Sequence, residues 1–239
     1  MMILGMMKYH LLLFLRDPLL LAFGFALPFV QLFLASEMGD SSYNFIDVSL
    51  PLFISIVVMS LCLLDSAYNH AHAREVKFLR RLRMTPVKPV IYLMSGYLFR
   101  MGVMTAFIGS FISVASIIFD LNLSGVNWGG FALMLWLSFT MFYVMGMFIG
   151  NVFRVGKTAQ GALLVVFFSF IFVINIIGSL EYLPVLIQRI IENLPVVYVV
   201  NVLQSAWLGT DLFAGHSLMV VMGLTVIFGL LSVKFFKYE

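Results

Sequence analysis

Charge is what this chain has least of. Its 239 residues include 14 Lys or Arg and 11 Asp or Glu, 10% in all, where an ordinary globular chain carries about 25%. So few polar groups cannot cover the surface of a water-soluble domain, which excludes cytosolic enzymes and nucleic-acid binders. Cysteine is nearly missing as well. Cys62 stands alone, so no internal disulfide exists and a disulfide-stapled secreted fold is excluded. What the chain does have is 62% hydrophobic residues, 25 Phe and a mean hydropathy of +1.07. Most of its outer surface must therefore face lipid. A helix needs about 20 apolar residues to cross about 30 Å of hydrocarbon. Six crossings would use about 120 residues and leave no room for a separate soluble domain. The expectation is a single transmembrane domain over residues 1–239, all-α and embedded in the bilayer.

Six long charge-poor runs are the candidate spans: 19–36, 48–64, 97–119, 128–150, 158–179 and 217–233. Solid runs of this length argue against a membrane barrel, which alternates over segments of about ten residues. Ahead of the first run, Met1 to Leu15 carries Lys8 and is followed by Arg16-Asp17-Pro18. It lacks a small-residue cleavage site and reads as an N-terminal interfacial helix. The alternate loops sort by charge. Lys8 and Arg16, then Arg74, Lys77, Arg80, Arg81, Arg83, Lys88 and Arg100, then Arg154 and Lys157, then Lys234 and Lys237 fall on one side. Of the basic residues only Arg189 falls on the other, with Glu37, Asp40, Asp47, Asp120, Glu181, Glu192 and Asp211. The positive-inside rule then places both termini in the cytoplasm and requires an even number of spans. A multi-pass protein of the plasma membrane is expected. Asp65, Arg100, Asp120 and His216 all lie at span ends, where snorkelling to the interface is cheap.

Two loops exceed what a turn needs, the cytoplasmic stretch from Asp65 to Gly96 and the external stretch from Leu180 to His216. The first is helix-compatible from Ala71 to Met84 and stopped by Thr85-Pro86 and Pro89. On a helix Phe78, Leu79 and Leu82 adjoin a basic row of Arg74, Lys77 and Arg81. That pattern suits a surface helix on anionic headgroups. It equally suits docking on a cytosolic partner, with apolar anchors and basic steering.

The segment Arg74 to Val87, REVKFLRRLRMTPV, resembles the first cytoplasmic loop of ABC transporter permeases of the type-2 (ABC-2) export class, whose usual form is close to RERGTLERLRVTPV. Arg74, Glu75, Leu79, Arg81, Leu82, Arg83, Thr85, Pro86 and Val87 match position for position. Lys77 stands for the usual Gly and Phe78 for the usual Thr, departures that bear on where the helix starts and how it sits on a partner. Glu192 to Gln204, ENLPVVYVVNVLQ, is similar to the family's external NPLTYVVEALR segment, with Pro195 and Tyr198 kept and Gln204 replacing the final Arg. Phe14 to Leu34 looks like the family's Arg-Asp-Pro start of the first span. The resemblance implies a transport subunit without its own motor. Its first cytoplasmic loop would form a coupling helix on a separate nucleotide-binding ATPase, which would bind ATP and Mg. Its external loop would form short re-entrant helices capping the route, with Pro195 and Tyr198 in that cap. Two permeases, identical or homologous, and two ATPases would make the working unit.

Other constellations lead elsewhere or nowhere. Gly150-Asn-Val-Phe-Arg-Val-Gly156-Lys157-Thr158 looks like a phosphate loop but places five residues between glycines where the motif has four, and no strand precedes it. A short basic turn accounts for it, and the chain itself is expected not to hydrolyse ATP. His70 and His72 fall on different faces of a helix, and no third nearby His or Cys completes a metal site. No intramembrane-protease motif or Asp-rich diphosphate cluster is present. Carboxylates within the spans, which ion-coupled carriers use as relays, are nearly absent. The span interiors offer Phe, Met, Gly and Ser with an occasional amide such as Gln31 or Asn175.

The resulting expectation is an ATP-driven exporter permease for a hydrophobic or amphipathic cargo, such as a lipid-like compound, an antibiotic or a peptide. ATPase contact is expected from Arg74, Glu75, Lys77, Phe78, Leu79, Arg81 and Leu82. No metal, no catalytic residue and no cofactor in the chain itself is expected, and its partners would be ATPase, second permease and lipid rather than nucleic acid. Two alternatives remain at this level: export of a lipid-linked polysaccharide or cofactor, and a membrane-embedded enzyme or assembly factor without an ATPase.

Overall fold

The computed structural model describes residues 10–12, 14, 22–38, 44–77, 89–119, 121, 123–153, 155–210 and 215–235. Among them the secondary structure is helical, with no strand. The expected interfacial helix of Met1 to Leu15 falls mostly outside these residues.

A π-helical turn, Ala22–Ala26, runs directly into α1, Leu27–Met38. The next helical run is unbroken from Asn44 to Glu75. It comprises α2 (Asn44–Met59), a second π-helical turn (Ser60–Leu64) and α3 (Asp65–Glu75). At 1.5 Å per residue it is about 48 Å long, well beyond the hydrocarbon thickness. The second expected span, 48–64, is thus the middle of a longer element. Past Glu75 the helix stops, and Lys77 takes a left-handed φ of 55°. Helices commonly end on such a residue, usually glycine. The structure therefore ends a helix inside the 71–84 stretch expected to be continuous, at the position where the resembling loops carry Gly.

α4, Pro89–Phe119, is nearly as long as the Asn44–Glu75 run and begins eight residues before the run expected at 97. α5 is Trp128–Val152 and α6 is Gly156–Ile176, which ends in a 3-10 segment, Ile177–Tyr182. α7, Val185–Glu192, and α8, Pro195–Trp207, are bent by 71° against each other. α9 is Ser217–Lys234. Among the described residues, four helices are long and apolar enough to cross a membrane: Leu93–Phe119, Trp128–Val152, Gly156–Ile176 and Ser217–Lys234. The count rises to five if the bent α7–α8 pair is one broken span.

Burial ranks these helices. From Leu50 to Met59 α2 is largely enclosed: Leu50, Ile54, Ile56, Val57, Val58 and Met59 have no exposure. A helix apolar all round is a core helix, and α2 packs against α1, α5 and α8. At the other extreme, α9 buries only Leu218, Val221 and Ser232 while Met219, Val226, Leu230 and Val233 face outward. Such a surface suits lipid. The two π turns meet, since a Cβ on Gly24 would lie 3.0 Å from Leu61 Cδ2. Across the second π turn, Gly146 of α5 lets the backbones close in. A Cβ there would be 3.2 Å from the carbonyl oxygens of both Cys62 and Leu63.

Candidate functional site

The end of the bundle at which Lys77, Lys157 and Lys234 lie, the basic end, holds the buried ion pair and the cap of α6. α3 is its hub. Asp65, at the start of α3, is buried and paired with the Arg100 guanidinium of α4, itself buried. Asn69, one turn on, donates to the Asp65 carboxylate and, at 3.0 Å, to its backbone carbonyl. The expectation that Asp65 and Arg100 reach water separately is therefore corrected. They lie 35 residues apart in sequence and neutralise each other inside the protein. Taking either charge out of water alone costs several kcal/mol, and an opposite charge with added hydrogen bonds offsets that cost. A cavity of about 20 Å³ adjoins the pair, lined by His10, Ser66, Asn69, Gly96, Arg100 and Tyr143 among others. That volume holds about one water. His10 is buried there, stacked 6.3 Å from the Phe99 ring, and its Nε2 lies 3.5 Å from Ser95 Oγ. A Cβ on Gly96 would fall 3.0 Å from His10 Cε1, so that glycine seats the histidine.

At its far end α3 makes a second tie. The Gly156 backbone N–H, first residue of α6, donates to Glu75 Oε2 at 2.9 Å. His72 Nδ1 stands 3.8 Å from the same oxygen, and its ring stacks on Tyr68 at 5.5 Å between centroids. Tyr68, His72 and Glu75 share one helix face, as their spacing requires. Gly156 is the glycine of the sequence that imitates a phosphate loop. Its helix N-terminus, an inherently anion-binding position, is occupied by the chain's own carboxylate.

Of the residues expected to contact an ATPase, Arg74 and Glu75 lie in the last turn of α3 and Lys77 ends it. Phe78, Leu79, Arg81 and Leu82 fall outside the described residues. Val76 and Lys77 are exposed. At the opposite end, Pro195 opens α8 in the first-turn position that tolerates its missing N–H. The buried Tyr198 donates its hydroxyl to Asn193 Oδ1 at 3.2 Å, and Asn193 Nδ2 donates to the Arg189 carbonyl at 2.7 Å. The two cap residues thus sit at the α7–α8 corner, with Tyr198 also edge-on to His216. Sequence reasoning missed Asn193, His72 as a neighbour of Glu75, and the Gly156 amide. Only Asn193, two residues before Pro195, left a signal, as an amide suited to a helix end.

Residues 18–234 match the family described as ABC-2 family transporter protein. The chain belongs to that family. It is accordingly the membrane component, a permease, of an ABC transporter, and a multi-pass membrane protein whose kind of partner is an ATPase. The permease is not itself that ATPase. No curated protein matches it significantly. Membership also sets aside the alternative of a membrane enzyme or assembly factor working without an ATPase.

Proposed function

We propose that this permease spans the plasma membrane six times with both termini in the cytoplasm, α1 and the α2 run supplying the two spans beyond the four long apolar helices. The basic end is then cytoplasmic, because thirteen of the fourteen basic residues fall there by the positive-inside rule. A nucleotide-binding ATPase docks on the segment from Arg74 to Lys88, using Arg74, Lys77 and Arg81 for steering and Phe78, Leu79 and Leu82 as anchors. ATP and Mg are held by that partner. Two permeases and two ATPases assemble, and closure of the ATPases moves the helices that flank the docking segment and releases a hydrophobic or amphipathic cargo outward. The α7–α8 corner, with Pro195 and Tyr198, caps the external side.

The observation that carries this reading is that the segment joins, in sequence, the two longest helical runs among the described residues, Asn44–Glu75 and Pro89–Phe119, which the Asp65–Arg100 pair ties together. A displacement applied there enters the core helix directly. Six spans short of charge and rich in Phe and Met favour an apolar or amphipathic cargo over a sugar or an ion.

The test is purification in mild detergent with the cognate ATPase. Reversal of charge in R74E/R81E is expected to lower co-purification about tenfold or more, equivalent to about 1.4 kcal/mol of lost complementarity. Unchanged recovery of the ATPase would overturn the docking assignment.

A further inference from the structure

We infer that Glu75 is a positioning residue whose carboxylate transmits motion from α3 to α6 inside the permease, rather than a contact for the ATPase. The inference rests on the docking reading above, which supplies the motion.

The geometry gives the carboxylate a partner within the chain. Glu75 Oε2 accepts the Gly156 N–H at 2.9 Å across 81 residues of sequence. Val155, which precedes α6, offers no side-chain cap. The first amides of a helix lack intrahelical acceptors and carry the positive end of its dipole. A carboxylate there makes a charge-assisted bond, stronger than a neutral one. The fit is close: a Cβ on Gly156 would lie 3.2 Å from Glu75 Oε2 and 3.3 Å from His72 Cα. α6 therefore starts against the backbone of α3, and glycine is the residue that permits it.

The tie has a direction because of what lies on either side. Beyond Glu75 the helix is over, with Lys77 at φ 55°, so a push on the docking segment enters α3 at its last turn. At the other end of α3, Asp65 is fastened to Arg100 of α4. A rod held at Asp65 and loaded beyond Glu75 passes lateral displacement to whatever is bonded at Glu75, and that is the start of α6. α6 in turn presents Val165, Phe168 and Phe172 outward, so its displacement moves an exposed wall of the permease.

The experiment uses the permease–ATPase complex in lipid nanodiscs, with hydrogen exchange read by mass spectrometry before and after trapping with ATP and vanadate. E75A removes the acceptor; E75Q keeps a carbonyl that can receive the amide. In the wild type and E75Q, trapping is expected to change exchange over both 71–88 and 150–160. In E75A the change over 71–88 persists, that over 150–160 disappears, and amide protection there falls about tenfold, with the ATPase still bound. Transmission to 150–160 undiminished in E75A would overturn the link. So would loss of the ATPase in both E75A and E75Q, which would make Glu75 an interface residue and leave the docking reading standing. No trapping-dependent change over 71–88 in the wild type would remove the docking reading and the link's input together.

Discussion

The two ends of the bundle are fastened by different chemistry. At the basic end, helices are joined by directional polar bonds: Asp65 to Arg100, Glu75 to the Gly156 amide, and Asn151 Nδ2 to the Ser232 carbonyl at 3.1 Å. At the opposite end, apart from the Tyr198–Asn193 bond at the α7–α8 corner, the joints between helices are mainly aromatic. Trp207 of α8 meets the edges of Trp128 and Phe131 of α5 at 6.1 and 5.3 Å, and Tyr198 meets His216 at 5.8 Å. A charge pair or an amide cap fixes where one helix stands along another, since a shift of a few ångströms breaks it. Ring-on-ring packing is governed by shape and tolerates a range of offsets. One end of the permease is thus held in register by directional bonds, and the other by ring packing that tolerates small offsets between its helices.

That contrast can be broken by experiment. The largest effect is expected from R100L, which leaves the Asp65 carboxylate buried without a counter-charge and should cost about 3–5 kcal/mol of stability. The double variant D65L/R100L should recover most of it, as read by thermal unfolding in detergent. If single and double variants fall equally, the basic end is held by packing and the contrast disappears. Next is W207A at the opposite end, expected to cost about 3 kcal/mol through lost ring contacts, with W207F losing less than half as much. An equal loss in W207F would mean that the indole N–H, rather than the shape of the ring, does the fastening. The smallest effect is expected from K77G. Left-handed backbone costs a residue with a side chain about 1–2 kcal/mol, so glycine should raise stability by about 1 kcal/mol. A fall would show that the Lys77 side chain makes a bond worth more than the strain.

The membrane nature of the chain was legible because it depends on sums: hydrophobic runs, sparse charge and the side on which lysines and arginines collect. The family was legible in Arg74 to Val87 and Glu192 to Gln204, because local motifs survive as strings. Pairings were not. Asp65 and Arg100 are each conspicuous as charges beside spans, yet nothing along the chain says that they meet, since that depends on how α2 and α4 are rotated. Glu75 read as a contact for the ATPase because its acceptor role is for a backbone amide, which has no letter in a sequence. Gly156 was visible only as half of a false phosphate loop. Lys77 was noticed as a departure from glycine, and its consequence is conformational: the helix ends there even so.

The π turn at Ser60–Leu64 sets the clock for everything below it. Each residue of an α-helix advances the face by about 100°, and a π turn accommodates one residue more than regular winding would. Every side chain from Asp65 to Glu75 is therefore rotated by that one residue relative to the core surface of α2. The same turn of phase aims Asp65 at α4 and Glu75 at α6. Removing a single residue from Ser60–Leu64 would leave composition, hydropathy and span length essentially unchanged, yet it would swing both carboxylates about a quarter-turn away. The alignment of this permease's internal connections is thus held by a local winding irregularity that none of its connected residues shares.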